Sequence, residues 1–150
     1  MGAGMLLGCG ELWLQRRAGA ERAAVGRVRA LGELFVRMAE QIEGFCLPLV
    51  DILQGLSDEE RAACGLTVGS PTEVLVAAAD TLPPSAAAIV RRAASALGRG
   101  GRQDQVYLCR GTARELEDCH RLLTEKAETD IRARRTLWRT ASLCVIILLW

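Results

Sequence analysis

The stretch that most constrains the fold is the last third of the chain. From Arg102 to Trp150 no proline interrupts, and only Gly111 weakens the helix signal. The segment changes character once along its length. It opens as a charge-laced amphipathic helix and passes an arginine cluster, Arg132, Arg134, Arg135 and Arg139. It then runs into the apolar stretch Ala141-Ser-Leu-Cys-Val-Ile-Ile-Leu-Leu-Trp150. At 1.5 Å per residue a helix from Gln103 onward reaches about 70 Å, longer than a small domain is wide. Such a helix has to project from whatever it packs against.

One face of that helix carries Val106, Cys109, Ala113, Leu116, Cys119 or His120, Leu123, Ala127 and Ile131. The opposite face sets acids four residues before bases, at Glu117–Arg121, Glu128–Arg132 and Asp130–Arg134. Each such pair contributes about 0.2–0.5 kcal/mol and marks a solvated surface. A matching stripe lies near the front of the chain. Over a predicted helix from about Ala20 to Cys46, Val28, Leu31, Phe35, Met38, Ile42 and Phe45 recur at spacings of three and four, and Leu49 continues the series. Two long helices with complementary narrow stripes pack antiparallel.

Between them the chain is punctuated. Pro48 breaks the first helix, and a short helix over 48–54 ends at Gly55. Ser57-Asp-Glu-Glu60 and Ser70-Pro-Thr-Glu73 have capping-box form, predicting helices near Asp58–Cys64 and Pro71–Thr81. Pro83-Pro84 precedes a helix over about Ser85–Leu97. Gly98-Arg-Gly-Gly101 reads as a turn with glycine available for positive φ. Aromatics are only 4% of a chain that is 50% hydrophobic, so the core is built from Leu, Val, Ile and Ala, which suits helices better than a sandwich or barrel. The expected fold is all-α: a helical bundle built on a long antiparallel helical hairpin, with the C-terminal helix extending into a short hydrophobic membrane anchor. The expected division is an apolar N-terminal segment over 1–19, a helical domain over 20–136 and an anchor over 137–150.

The anchor comprises Leu137, Trp138, Leu143, Val145, Ile146, Ile147, Leu148, Leu149 and Trp150, with Trp138 and Trp150 bracketing it as interfacial aromatics do. Its 14 residues give about 21 Å of helix against a hydrocarbon core of about 30 Å, so it is a short span or one that leans on partner subunits. Apolar runs of this length also occur as core helices, which keeps a soluble, self-associating bundle open as an alternative. Arg132, Arg134, Arg135 and Arg139 on the tail's N-terminal side set the topology, favouring a cytoplasmic folded domain. At the front, Met5–Leu14 is apolar apart from Glu11. It is too short to span a bilayer and lacks a preceding basic region, so it reads as a peripheral membrane contact or the start of the first helix.

Chemistry is sparse. The formal net charge of +1 argues against a nucleic-acid partner. Lys126 is the sole lysine among nineteen basic residues, which reflects arginine-biased codon usage rather than an arginine-specific task. The six cysteines, Cys9, Cys46, Cys64, Cys109, Cys119 and Cys144, form no Cys-x-x-Cys and read as small buried hydrophobes in a reducing compartment. His120, Cys109 and Cys119 supply at most three of the four ligands a zinc site needs, and not on one face. The glycine turn follows a helix and lacks the Lys-Ser/Thr of a phosphate loop. Arg16, Arg17, Arg22, Arg27, Arg29 and Arg37 read as a solvated helix face. The expectation is a non-enzyme without cofactor or metal.

Several features together resemble a known family. Arg29-x-Leu31, the stripe ending at Ile42, and Pro48-Leu49 are similar to the first half of the stage III sporulation protein AB family. Leu97-Gly98 with Gln105 and then Leu116, the basic segment through Arg132, and Leu137 with a Leu/Ile-rich tail follow in the same order. The resemblance covers about residues 25 to 150. The chain departs from it in its short Met5–Leu14 segment, at Gly101 in place of an acid, and at Trp138 in place of a small residue. The family is similar in fold to the cytoplasmic helical domain of type II secretion F proteins. The resemblance implies a membrane-anchored component of the channel between mother cell and forespore, on the mother-cell side. Its implied partners are the channel subunits, a secretion-type ATPase, the membrane and, in a homo-oligomer, other copies of the chain. The alternative from the residues alone is a generic tail-anchored coiled-coil adaptor. Exposed parts of the first helix and the Gly98–Gly101 turn are the candidate contacts.

Overall fold

A computed structural model describes the backbone of residues 3–148 and the side chains of residues 19–133 and 137. Among the described residues the chain is all helix, in six elements. These are α1 (Ala3–Phe45), α2 (Leu49–Gln54), α3 (Asp58–Cys64), α4 (Pro71–Ala79), α5 (Pro84–Ala96) and α6 (Arg102–Leu148). The largest interface joins α1 to α6. The two run antiparallel: Arg110 of α6 pairs with Glu43 at the far end of α1, and Gly32 faces Ala113 and Leu116. Glu21 and Val25 share a groove with Ala127 and Ile131.

The core sits along this seam. Val28, Leu31, Phe35, Met38 and Ile42 from α1 meet Val106, Cys109, Ala113, Leu116 and Cys119 from α6, all buried. Leu34 and Ala39 widen the α1 face toward the shorter helices. Leu49 and Leu123 are half-buried at the edges of the cluster. The α5 helix lies antiparallel on α6, with Ser85 reaching Cys119 and Arg92 pairing with Glu115. The α4 helix packs on α5, and α3 runs beside α1, where Leu56 and Cys64 close over Leu34.

Both capping boxes form. The Glu60 N–H donates to Ser57 Oγ at 3.2 Å and the Ser57 N–H to Glu60 Oε2 at 2.9 Å. Ser70 and Glu73 repeat the exchange at 3.4 Å each way, with Pro71 at the first helical position. Reciprocal capping satisfies two backbone donors that a helix start otherwise leaves open. Gly65 ends α3 in the left-handed region at φ 69°, where glycine escapes the Cβ clash.

Three expectations need correction. The first helix does not begin near Ala20; it is helical from Ala3. Phe45 is not in the stripe. It is 76% exposed, because α1 ends there and Cys46, at φ 54°, turns the chain away from α6. Gly55 ends α2 as expected, in a right-handed conformation. The Glu117–Arg121 pair does not form, since Arg121 takes Asp118 one position nearer, at 2.9 Å. Glu128–Arg132 forms, at 4.0 Å. Asp130–Arg134 involves a side chain outside the described residues. The apolar face of α6 also outruns its cover: Ala127 is exposed and Ile131 is 44% exposed, beyond the level reached by α5.

Candidate functional site

Three places on this frame bear on function. The first is the seam between α1 and α6. Val28, Gly32 and Val36 on one helix face Ala113, Glu117 and His120 on the other, and each set repeats at helical spacing so that it forms one wall. The walls enclose an open cleft of about 610 Å³. Its rim carries both signs of charge. The Arg29 Nε donates to Glu33 Oε1 at 2.9 Å, and Arg110 reaches Glu43 at 2.5 Å. Arg114 lines the same rim. Gly32 adds no side chain to the lining, and Val36 offers apolar surface at 45% exposure. A long groove of mixed charge lined by two helices suits a third helix better than a small molecule.

The second place is the Leu97–Gly101 turn. Gly98 and Gly100 both have positive φ, 79° and 89°. The turn is clasped by Gln105, which is buried. Its Oε1 accepts from the Gly98 N–H at 3.0 Å and its Nε2 donates to the Arg99 carbonyl. Gly101 N–H donates to Asp104 Oδ2 at 2.9 Å, an N-cap for α6 made from inside the first turn. Arg102 donates to the Glu43 carbonyl at the end of α1. The Leu97-Gly98 and Gln105 spacing therefore has a local cause: the glutamine side chain holds the turn that aims α6 back along α1. The buried role of Gln105 was not read from the sequence. A polar residue seven positions after a Leu-Gly pair, at the start of an apolar stripe, was the available signal.

The third place is the end of α6. The backbone continues as one helix to Leu148. Leu137 is 68% exposed, and Arg132 is exposed. The side chains of Arg134, Arg135, Arg139, Trp138, Leu143, Val145, Ile146, Ile147, Leu148, Leu149 and Trp150 lie outside the described residues. Among the described residues no helix is long and apolar enough to cross a membrane.

Burial pushes the Cys109 thiol up to about 11, and burial, with the Glu60 and Glu33 carboxylates adding, does the same to Cys64. Thiols so placed are inert as nucleophiles. Cys119 is buried against Ser85, with Sγ and Oγ 3.3 Å apart, and Cys46 is exposed. His120 is half-buried in the cleft wall beside Cys119. Among the described residues no group of three or more His, Cys, Asp or Glu side chains is placed to hold a metal ion. The side chains of Cys9 and Cys144 lie outside the described residues.

Comparison with known protein families, with curated proteins and with solved structures finds no match to this chain.

Proposed function

We propose that this chain is a non-enzymatic, membrane-anchored assembly component of a sporulation channel of the stage III AB type, coupling a cytosolic secretion-type ATPase to membrane subunits. What carries the reading is the continuity of α6. One helix leads from the bundle core, past Arg132, to the apolar residues that close the sequence. A rigid helix of about 70 Å transmits position from a membrane to a domain without a hinge. The antiparallel order of α1 and α6 gives the apolar stretches at the two ends of the sequence to the same end of the hairpin. Two short apolar segments side by side need less bilayer thinning than one alone. The arginines that precede the tail favour a cytoplasmic domain on the mother-cell side of the forespore membrane. The α1/α6 cleft and the Gln105-clasped turn are the surfaces through which the domain meets its neighbours.

The test is to image an N-terminally tagged fluorescent fusion in spore-forming cells, with and without residues 137–150. Signal on the membrane around the forespore, lost when the tail is removed, is the expected result. Membrane signal spread uniformly over the cell would instead favour a generic tail-anchored adaptor. Diffuse signal from the full-length chain would return the tail to a protein core and overturn the anchor.

A further inference from the structure

Along α6 from Arg102 to Arg121 the charged side chains are matched within the chain, with two exceptions. Arg102 donates to the Glu43 carbonyl, and Asp104 accepts from the Gly101 N–H. Arg110 pairs with Glu43, Glu115 with Arg92, and Asp118 with Arg121. Arg114 and Glu117 are the exceptions: among the described residues neither side chain has an ion pair or hydrogen bond. Both are exposed, both line the α1/α6 cleft, and they carry opposite signs three residues apart. Arg121, four residues past Glu117, takes Asp118 instead and leaves Glu117 to the cleft. His120 continues the row at the same spacing, half-buried, with no hydrogen bond to its imidazole among the described residues.

The facing wall is apolar and small. Val28, Gly32 and Val36 repeat every four residues along α1, and Gly32 faces Ala113 of α6. A glycine and an alanine let another backbone approach closely, and Val36 is exposed. Arg29 and Glu33 on this wall hold each other at 2.9 Å, so the unmatched charges of the cleft are those on α6.

We infer that the cleft seats one α-helix of a protein partner, which lays small apolar side chains over Val28, Gly32 and Val36 and offers an acid to Arg114 and a base to Glu117. Residues three and four apart share a helix face, so a single helix meets both charges. A purely basic or purely acidic helix leaves one of them unmet. The Glu33 and Glu117 carboxylates in the lining repel phosphate backbones and anionic lipid headgroups. Such a partner rests on the reading of this cleft as a surface where the domain meets its neighbours, and does not require those neighbours to form a sporulation channel.

The test uses the full chain in nonionic detergent and measures fluorescence anisotropy of three synthetic helical peptides. Each has a valine and alanine face beside a row of charges, which alternates glutamate and lysine in the first, is all lysine in the second and all glutamate in the third. The first should bind saturably, and the other two about tenfold more weakly. Arg114→Glu should move the preference to the all-lysine peptide, and Glu117→Lys should move it to the all-glutamate peptide. Val36→Asn should weaken all three peptides, and Arg121→Glu, on the same helix but outside the cleft, should change nothing. These four positions are exposed, and unchanged circular dichroism checks that the variants fold. The proposal is overturned if no peptide binds, if either single-sign peptide binds the parent as well as the alternating one, or if the charge reversals leave the preference where it was. It is overturned as well if Arg121→Glu acts like Arg114→Glu, since the attraction is then general. Self-association seen by ultracentrifugation and abolished by Arg114→Glu, with no peptide bound, would make the occupant a second copy and overturn it too. A negative peptide result leaves the localisation of the fluorescent fusion unchanged, and a diffuse fusion leaves the peptide result standing, so the two readings fail separately.

Discussion

Gly32 faces α6 across the seam, and replacing it with alanine should stabilise the protein. A glycine at a helix crossing invites the opposite expectation, that only hydrogen fits between the helices. The geometry disagrees. A Cβ built at Gly32 meets Leu116 Cβ at 3.7 Å and the Ala113 carbonyl at 3.9 Å, both ordinary van der Waals contacts. Removing glycine from a helix interior is worth about 1 kcal/mol through helix propensity. The new methyl, partly covered by Leu116, adds about half of the 0.8 kcal/mol of a fully buried methylene. The sum of about 1.4 kcal/mol corresponds to a rise in Tm of about 3–5 °C for a chain of this size. Gly26→Ala and Gly111→Ala are the controls, because a Cβ at either meets nothing within 4 Å. They should gain propensity alone, about 1 kcal/mol each. Thermal unfolding followed by circular dichroism separates the cases. A Gly32→Ala variant that melts below the parent while the controls melt above it would refute the reasoning. It would mean that α1 and α6 approach more closely than 3.7 Å allows, with overpacking costing about 1–3 kcal/mol.

Other consequences follow from particular contacts. Gln105→Ala should destabilise by about 1–3 kcal/mol, because it strands the Gly98 N–H that Gln105 Oε1 accepts, and urea unfolding measures it. Gln105→Glu should not recover the loss, because it sets a carboxylate oxygen against the Arg99 carbonyl to which Nε2 donates. In the native chain, alkylation followed by peptide mapping should modify Cys46 rapidly and spare Cys64, Cys109 and Cys119 until the protein unfolds. The Cys64 and Cys109 thiols lie above their ordinary value when folded, so their contribution to stability is present below pH 9 and is lost as pH rises toward about 11. Glu60 is held below its ordinary 4.5 by the Ser57 backbone hydrogen bond first and by Arg37 second. Its stabilisation is therefore present above pH 4.5 and is lost as pH falls through the lower folded value. Glu60→Gln should flatten the acid limb of the stability profile, and Ser57→Ala should cost about 1 kcal/mol at neutral pH.

What the sequence made legible was periodicity and punctuation. The stripe from Val28 to Ile42 repeats at helical spacing, so its burial followed from pattern alone. The two Ser-x-x-Glu boxes predicted α3 at its observed bounds and the start of α4, because capping is a local interaction within four residues. Features that depend on how helices meet were hidden. Phe45 continues the α1 spacing and differs from Phe35 only in lying past the point where α6 begins, so its exposure is a tertiary fact. Arg121 had two acids within reach on its own helix, and sequence spacing does not choose between Asp118 and Glu117. Gln105 stood out in the sequence only by its spacing from Leu97-Gly98, and its burial comes from the Gly98–Gly101 turn, which it clasps.

Deleting the gene and counting heat-resistant spores after starvation, with the full-length chain and a chain lacking residues 137–150 returned separately, tests the proposed channel role most directly. If the proposed role holds, deletion stops development after engulfment, with failed assembly of the forespore channel, and only the full-length chain restores it. Normal spore numbers and an intact channel in the deletion strain would contradict it.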